Sequence, residues 1–520
     1  MPSFASIAAL AQRPQVLAIV TQLAGASFAF ASFVLLARTL APADFGAWVL
    51  FLTAATFLDM VRHGLVQSAL VQRSAGSTAS QERMLMGGAW VLGLGTTSVL
   101  ALGVFALGQL LPDAGAFRLF FDWYPLLALA ALPHLVATWN GLAREHFGRL
   151  LVLKVVLAGG FAVFVVGNFV APYLSWSQAD LSGIARAYLG IHAAGSALML
   201  ALGWTRLATL RHATRRAVRT LYRFGRYSVG TTLGSNLLRS ADQFILGLWL
   251  GPAAVAFYGV PQKLIEVVEI PLRGLAQTAM PTLSRKARRG DMATFARYLH
   301  AWIGGLSLAL VPLLVVVFVW AEAACVLLAG EAYRDAGTLL RIFVVYMALL
   351  PLDRYLGLAL DALGRPALNM IKVAAMVVVN IVGDVVALAA FGSVEAVAAV
   401  TIVMTLVGTA LGAWFVKRHV PFRLRATARA GPEGLRLLLR RTTRGGDALE
   451  ENPPAIPPSV RSRATLSPGA ELAAEGAPSR PAAKPSVLSD GAPTSTAEDA
   501  GPRSVQAAAP PMVSADPGRR

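Results

Sequence analysis

Apolar residues in this chain gather in blocks of about 20, separated by short polar links, from Val16 to Val416. A helix rising 1.5 Å per residue needs about 20 residues to cross ~30 Å of hydrocarbon, so each block has the length of a transmembrane helix. The pattern predicts twelve spans, at about residues 16–37, 45–70, 85–111, 119–139, 150–171, 185–205, 228–250, 254–281, 299–320, 336–360, 367–391 and 394–416. No stretch from Lys417 onward is long and apolar enough to span anything. The fold class expected is an all-α polytopic membrane protein.

Hydrophobic residues make up 56% and charged residues 14% of the 520, where a soluble chain carries about a quarter charged. A soluble multidomain protein is excluded. The single cysteine, Cys325, rules out an intramolecular disulfide, a four-thiolate metal site and an iron–sulfur cluster. A net charge of +18 would suggest a nucleic-acid partner in a soluble protein. Its distribution gives another reading: of the 46 Lys and Arg, 30 lie in residues 1–416 and 16 in the tail, against 18 and 10 acids. Alternate loops carry 20 Lys and Arg on one side, whereas the other side has only Arg38, Arg118, Arg186 and Arg334. Such a bias places the rich side, with both termini and the link at 206–226, in the cytoplasm. The charge is then a topology signal, with no nucleic acid implied. The first block has full length and reads as a retained anchor rather than a cleaved signal.

The sequence also matches itself at an offset of 210. Gly64-Leu65-Val66-Gln67-Ser68-Ala69-Leu70 corresponds to Gly274-Leu275-Ala276-Gln277-Thr278-Ala279-Met280, Leu40-Ala41-Pro42 to Leu250-Gly251-Pro252, and Trp48 to Tyr258. Six spans separate equivalent points, so the repeats share one orientation. Parallel repeats make two six-helix lobes about a pseudo-twofold along the membrane normal, facing each other across a central cavity. The expected organisation is an N-lobe at 1–205, a basic link at 206–227, a C-lobe at 228–416, a basic amphipathic interfacial segment at 417–450 and a disordered cytoplasmic tail at 451–520. Nine Lys and Arg in 417–444 suggest a helix on an anionic leaflet. The 13 prolines in the last 70 residues argue for disorder.

The run Leu36-Ala37-Arg38-Thr39-Leu40-Ala41-Pro42-Ala43-Asp44-Phe45-Gly46 resembles the start of polysaccharide flippases of the multidrug/oligosaccharidyl-lipid/polysaccharide exporter superfamily. The likeness continues through Asp242-Gln243-Phe244-Ile245-Leu246-Gly247, Gly251-Pro252, Tyr258-Gly259, Pro281-Thr282-Leu283-Ser284, Leu327-Leu328-Ala329-Gly330-Glu331-Ala332-Tyr333 and Ala362-Leu363-Gly364-Arg365. It covers about residues 16–416. The resemblance implies a twelve-helix, two-lobed bacterial inner-membrane transporter. Such a protein moves undecaprenyl-pyrophosphate-linked oligosaccharide to the periplasmic leaflet for O-antigen, capsule or exopolysaccharide assembly. The implied partners are the lipid-linked oligosaccharide and membrane lipids; separately, the tail is a candidate for recruiting the polymerase and glycosyltransferases. A cation-coupled drug antiporter or a peptidoglycan-precursor flippase of the same superfamily is the alternative. A membrane-embedded glycosyltransferase or polymerase is disfavoured, because the short periplasmic loops hold no acidic catalytic cluster.

Ionisable groups inside a bilayer are costly, so each must be paired or face water. Spacing offers the pairs Asp59 with Arg62 and His63, Arg239 with Asp242, Lys263 with Glu266, and Glu269 with Arg273. Asp353 and Arg354 are adjacent and cannot share a helix face, and Arg341 and Asp384 must find partners across the bundle. Arg239 and Lys263 fall near the midplane. Arg239, Lys263 and Arg341 are the candidate cations for a pyrophosphate, which needs charge-assisted donors once out of water. Asp59, Arg62, Asp242, Glu266, Glu269, Asp353 and Asp384 are candidates for ion coupling or gating. Neutralisation of each cation by its own helix neighbour remains an alternative. No Walker motif or metal-ligand spacing occurs, so no cofactor is expected. Trp139, Trp176, Trp204, Trp320 and Trp414 are expected at the membrane interfaces.

Overall fold

The structure, a computed structural model, describes residues 14–443, apart from the side chains of Pro14, Gln15, Thr231, Ser235, Arg239, Gln277 and residues 438–443. The expected tail at 451–520 lies outside the described residues. Every predicted apolar stretch is a helix. In chain order they are α1 (Pro14–Thr39), α2 (Pro42–Ser74), α3 (Ala79–Leu110), α4 (Arg118–Ala143), α5 (Phe147–Leu174), α6 (Leu181–Ala201), α7 (Arg215–Trp249), α8 (Pro252–Arg288) and α9 (Met292–Val319). A short α10 (Ala321–Ala329) precedes α11 (Ala336–Ala362), α12 (Pro366–Phe391) and α13 (Val394–Lys417). Ten of these helices are long and apolar enough to cross a membrane, and the chain is a multi-pass membrane protein. The exceptions among the long helices are α7 and α8, 35 and 37 residues, which carry half of the charges assigned to the bilayer interior. Nor is the link at 206–227 a plain loop, because α7 already begins at Arg215.

Local chemistry explains several boundaries. Thr78 and Gln81 close a reciprocal capping box at the start of α3, and Pro42 and Pro252 open α2 and α8 where a missing N–H costs nothing. Asp291 caps α9 by accepting from the Thr294 backbone, and the hydroxyl and N–H of Thr294 hold its carboxyl below the usual carboxylate range. Two π-helical turns interrupt the first half, His63–Gln67 in α2 and Val155–Gly159 in α5.

Helices α2 and α8 cross at the end away from the basic loops. A Cβ on Gly46 would stand 1.6 Å from the Pro252 carbonyl oxygen and 3.2 Å from the Ala256 nitrogen, so only glycine permits the crossing. Gly46 and Ala256 are separated by the same 210 residues as the sequence repeat. At the same end Arg38 donates to the Leu327 and Leu328 carbonyls closing α10, and Phe45 meets Tyr333 edge-on. At the basic end, α7 lies on the first half, with Gly225 against the Leu65 carbonyl and Gly64 against Val229. Its other end packs on α12.

The basic segment after α13 forms α14 (Leu424–Arg429) and α15 (Gly431–Thr443). The helix expected on a leaflet surface docks an edge on α9, where Gly304 and Gly305 meet Thr427, Gly431 and Gly434 at backbone contact. In the first half, Gly87 and Gly88 of α3 receive Thr209, Ala213 and Ala217 in the same manner. Trp139, expected at an interface, is fully buried beside His63. Trp176, Trp320 and Trp414 are exposed.

Candidate functional site

A cavity of about 1390 Å³ opens between the two halves. It extends from Trp48 and Tyr258, just beneath the α2–α8 crossing, to Asp361 and Asn369 near the basic ends of α11 and α12. A membrane protein gains little from burying charge unless the charge is paired or wet, yet this wall holds Lys154, Lys263, Arg273, Arg354 and Lys372 alongside Asp242, Glu266, Glu269, Asp353 and Asp361.

Most of these charges are matched. Lys263 Nζ lies 2.8 Å from Glu266 Oε2, and its ammonium also sits 5.5 Å from the centre of the Phe33 ring on α1. Glu269 gathers Arg273 at 3.4 Å, Arg354 at 3.9 Å and the Tyr346 hydroxyl at 3.1 Å, joining α8 to α11. Lys372 is buried, 2.6 Å from Asp353 Oδ1, and donates to the Asp353 carbonyl. Asp353 and Arg354 thus look to different helices, as their adjacency requires. Asp361 accepts two hydrogen bonds from Asn369.

A second cluster lies where α7, α8 and α12 meet. Asp242, 5% exposed, accepts from the Tyr258 hydroxyl and, at 2.6 Å, from Asn380 Nδ2. The same Asn380 amide donates at 3.0 Å to Asp384, 1% exposed, whose Oδ1 has no partner among the described residues. The Thr401 hydroxyl beside them is also left without one. Two dry carboxylates thus share one amide, a set of donors too small for two full negative charges.

The candidate residues therefore separate. Lys263, Asp242, Glu266, Glu269 and Asp353 line the cavity, and Asp384 backs it through Asn380. Arg341 does not line it and pairs with Glu322 of α10 at 3.0 Å. Its partner comes from the preceding short helix because α10 packs beside α11, which spacing along one helix cannot foresee. Asp59 and Arg62 are absent from the wall. They bind each other, and Arg62, 1% exposed, donates to the Ala128 carbonyl, tying α2 to α4. The Arg239 side chain lies outside the described residues.

The first half supplies further groups, some read otherwise from the sequence and some not singled out there. Lys154, counted with the basic loops, is exposed on the cavity wall directly before the π turn of α5. Its stem runs beside Gly25, and among the described residues no carboxylate pairs with it. His63 opens the other π turn and lines the same wall, as do His134 and His192, whose rings adjoin each other. Such turns recur at functional sites because one extra residue re-aims the side chains around it.

A sequence profile of the polysaccharide biosynthesis protein family matches residues 35–337. Among curated proteins, the chain is 23% identical over 231 residues to "Probable low-salt glycan biosynthesis flippase Agl15" of Haloferax volcanii, covering 44% of this chain and 49% of that one. The match spans about half the length of that relative. Among solved structures, the fold is similar to lipid II flippase MurJ in an inward closed conformation, with a TM-score of 0.58, 12% identity, and coverage of 83% of this chain and 94% of that one. It is also similar to a multidrug resistance MATE family transporter of the MOP superfamily in an inward-facing conformation, with a TM-score of 0.60, 16% identity, and coverage of 77% and 98%. The match over more than half of its length and this shared fold make the chain a member of the polysaccharide biosynthesis protein family, built on the MOP transporter fold.

Proposed function

We propose that this protein flips a diphosphate-linked lipid glycan across the bacterial inner membrane by alternating access, for O-antigen, capsule or exopolysaccharide assembly. In this reading α7 and α8 cross the membrane with the other ten long helices, and the twelve act as two parallel six-helix halves. Both termini and the basic loops face the cytoplasm, and the cavity, closed beneath the α2–α8 crossing, receives substrate from that side. The observation that carries the proposal is the charged cavity wall, in which Lys154 is a lining cation with no carboxylate partner among the described residues. An ammonium held there is available to a phosphate leaving water. Lys263 and Arg239 are secondary contacts in this scheme, and Arg341 acts by bracing α10 against α11. The curated relative's name as a glycan biosynthesis flippase supports the substrate class.

The Asp242–Asn380–Asp384 cluster fits coupling, in which one proton or one monovalent cation shared by the two carboxylates is released as the halves rearrange. Glu266, Glu269 and Asp353 then act as gating partners of the wall cations. A drug antiporter of the same superfamily would use the coupling cluster equally but would have no need of a free cation in its cavity. Complementation of a strain lacking its polysaccharide flippase separates these readings. Lys154→Ala is expected to lower surface polysaccharide at least tenfold at equal protein level, with Lys154→Arg largely active. Full complementation by Lys154→Ala would remove the diphosphate reading.

A further inference from the structure

The three cavity histidines share a hydrogen-bonding constraint that fixes what each offers to a ligand. His63 Nδ1 lies 2.7 Å from the Asp59 carbonyl, and His192 Nδ1 lies 2.9 Å from the Tyr188 carbonyl. A carbonyl only accepts, so both Nδ1 atoms carry the proton. His134 Nδ1 lies 3.1 Å from the Ser196 hydroxyl. That hydroxyl donates its own hydrogen to the Ala130 carbonyl at 2.6 Å, so it too can only accept from the ring. In the neutral form all three imidazoles therefore keep their lone pair on Nε2. Among the described residues no hydrogen bond occupies any of these Nε2 atoms, and all three rings line the cavity. None of the three is among the buried polar atoms left unpartnered, so each retains access to the cavity space.

Lone pairs on one wall select their ligand chemically. Phosphate oxygens carry no hydrogen at neutral pH and are repelled by an acceptor, whereas sugar hydroxyls and acetamido N–H groups donate. The surrounding wall has the matching apolar character. The rings of His134 and His192 are 5.3 Å apart, Tyr188 lies 4.2 Å from His192, and Trp48 and Phe161 meet the Tyr188 ring edge-on at 5.3 and 4.9 Å. Aromatic faces and edges beside hydrogen-bond acceptors suit the alternating C–H and O–H surfaces of a pyranose.

Resting on the flippase reading above, we infer that Nε2 of His63, His134 and His192 accepts hydrogen bonds from the glycan, so these imidazoles read the sugar while Lys154 on the same first-half wall holds the diphosphate. The test uses the purified full-length chain in nanodiscs at pH 8, above the ordinary histidine range near ~6.5. The probes are undecaprenyl diphosphate and undecaprenyl-diphospho-N-acetylglucosamine, with binding followed by native mass spectrometry. His63→Phe and His192→Phe are expected to weaken the glycosylated lipid five- to tenfold each and to leave the bare diphosphate within twofold. His192→Gln, which presents an amide N–H to Tyr188 and a carbonyl to the cavity, is expected to recover most of the loss. Equal weakening of both lipids, or no change in either, overturns the assignment. So does a wild type that binds the two lipids equally, although the diphosphate reading then stands. A wild type that binds neither lipid removes the flippase reading and this inference together.

Discussion

Lys154 and Lys372 looked alike in the sequence, as positive residues near the basic ends of helices, yet the fold gives them opposite roles. Lys372 is 3% exposed and locked to Asp353, so it joins α12 to α11. Lys154 is exposed to the cavity, and among the described residues no acid pairs with it. Removing one member of a buried pair leaves the other charge stranded at about 3–5 kcal/mol. Lys372→Met is therefore expected to lower thermal stability in detergent strongly, with Asp353→Asn in the same chain recovering part of the loss. An unchanged melting temperature in Lys372→Met would show that the pair contributes nothing. Asp59 and Arg62 illustrate how much was legible at this scale: their i, i+3 spacing predicted the pair, and the pair formed. That it faces α4 and not the cavity depends on the rotation of α2, which the spacing does not specify.

Among the elements, the apolar block lengths anticipated every long helix to within a few residues at most ends. The largest departures are at the basic ends of α7, α8 and α9, which run on past the apolar block as polar helix. Hydropathy ends where the hydrocarbon would end, whereas a helix ends where its caps and packing end. The glycine contacts that position these extensions were equally hidden, because a glycine pair such as Gly304-Gly305 gains meaning only from the backbone brought against it. A Cβ on Gly434 would come within 1.8 Å of the Ala301 carbonyl oxygen. Gly434→Val is thus expected to detach α15 from α9, measured as faster proteolysis after α13 and a loss of at least ~1–3 kcal/mol from overpacking. Gly76→Ala, at a position with open space around it but a φ of +74°, is the milder control. If both variants are cleaved at the wild-type rate, α15 is not held by this contact.

For the whole molecule, closure of the end opposite the basic loops depends on how closely α2 and α8 approach. At Gly46 the α2 backbone lies directly against the Pro252 carbonyl of α8. Gly46→Ile is expected to hold that end open and abolish transport. Because Cys325 is the single cysteine and is buried, Cys325→Ala gives a clean background for a reporter at Val49, which lines the cavity just past the crossing. Membrane-impermeant maleimide added from the side opposite the basic loops should label Val49→Cys several-fold faster when Gly46→Ile is present. Equal labelling with and without Gly46→Ile would mean that this contact does not control access.

The sequence alone determined what depends on counting along the chain: helix lengths, the membrane as solvent, the alternating loop charge, the 210-residue repeat, the family resemblance and the pairs one helical turn apart. Those properties are local or additive, so no knowledge of packing is needed to read them. Tertiary structure decided which charges share the cavity, because that depends on helix rotation and on partners more than 100 residues away, as with Asn380 and Asp242. It moved Arg341 out of the site and brought Lys154, Asn380 and the three histidines into it. The orientation of those imidazoles rests on carbonyls and one hydroxyl fixed by the fold, and these turn single histidines into acceptors on one cavity wall.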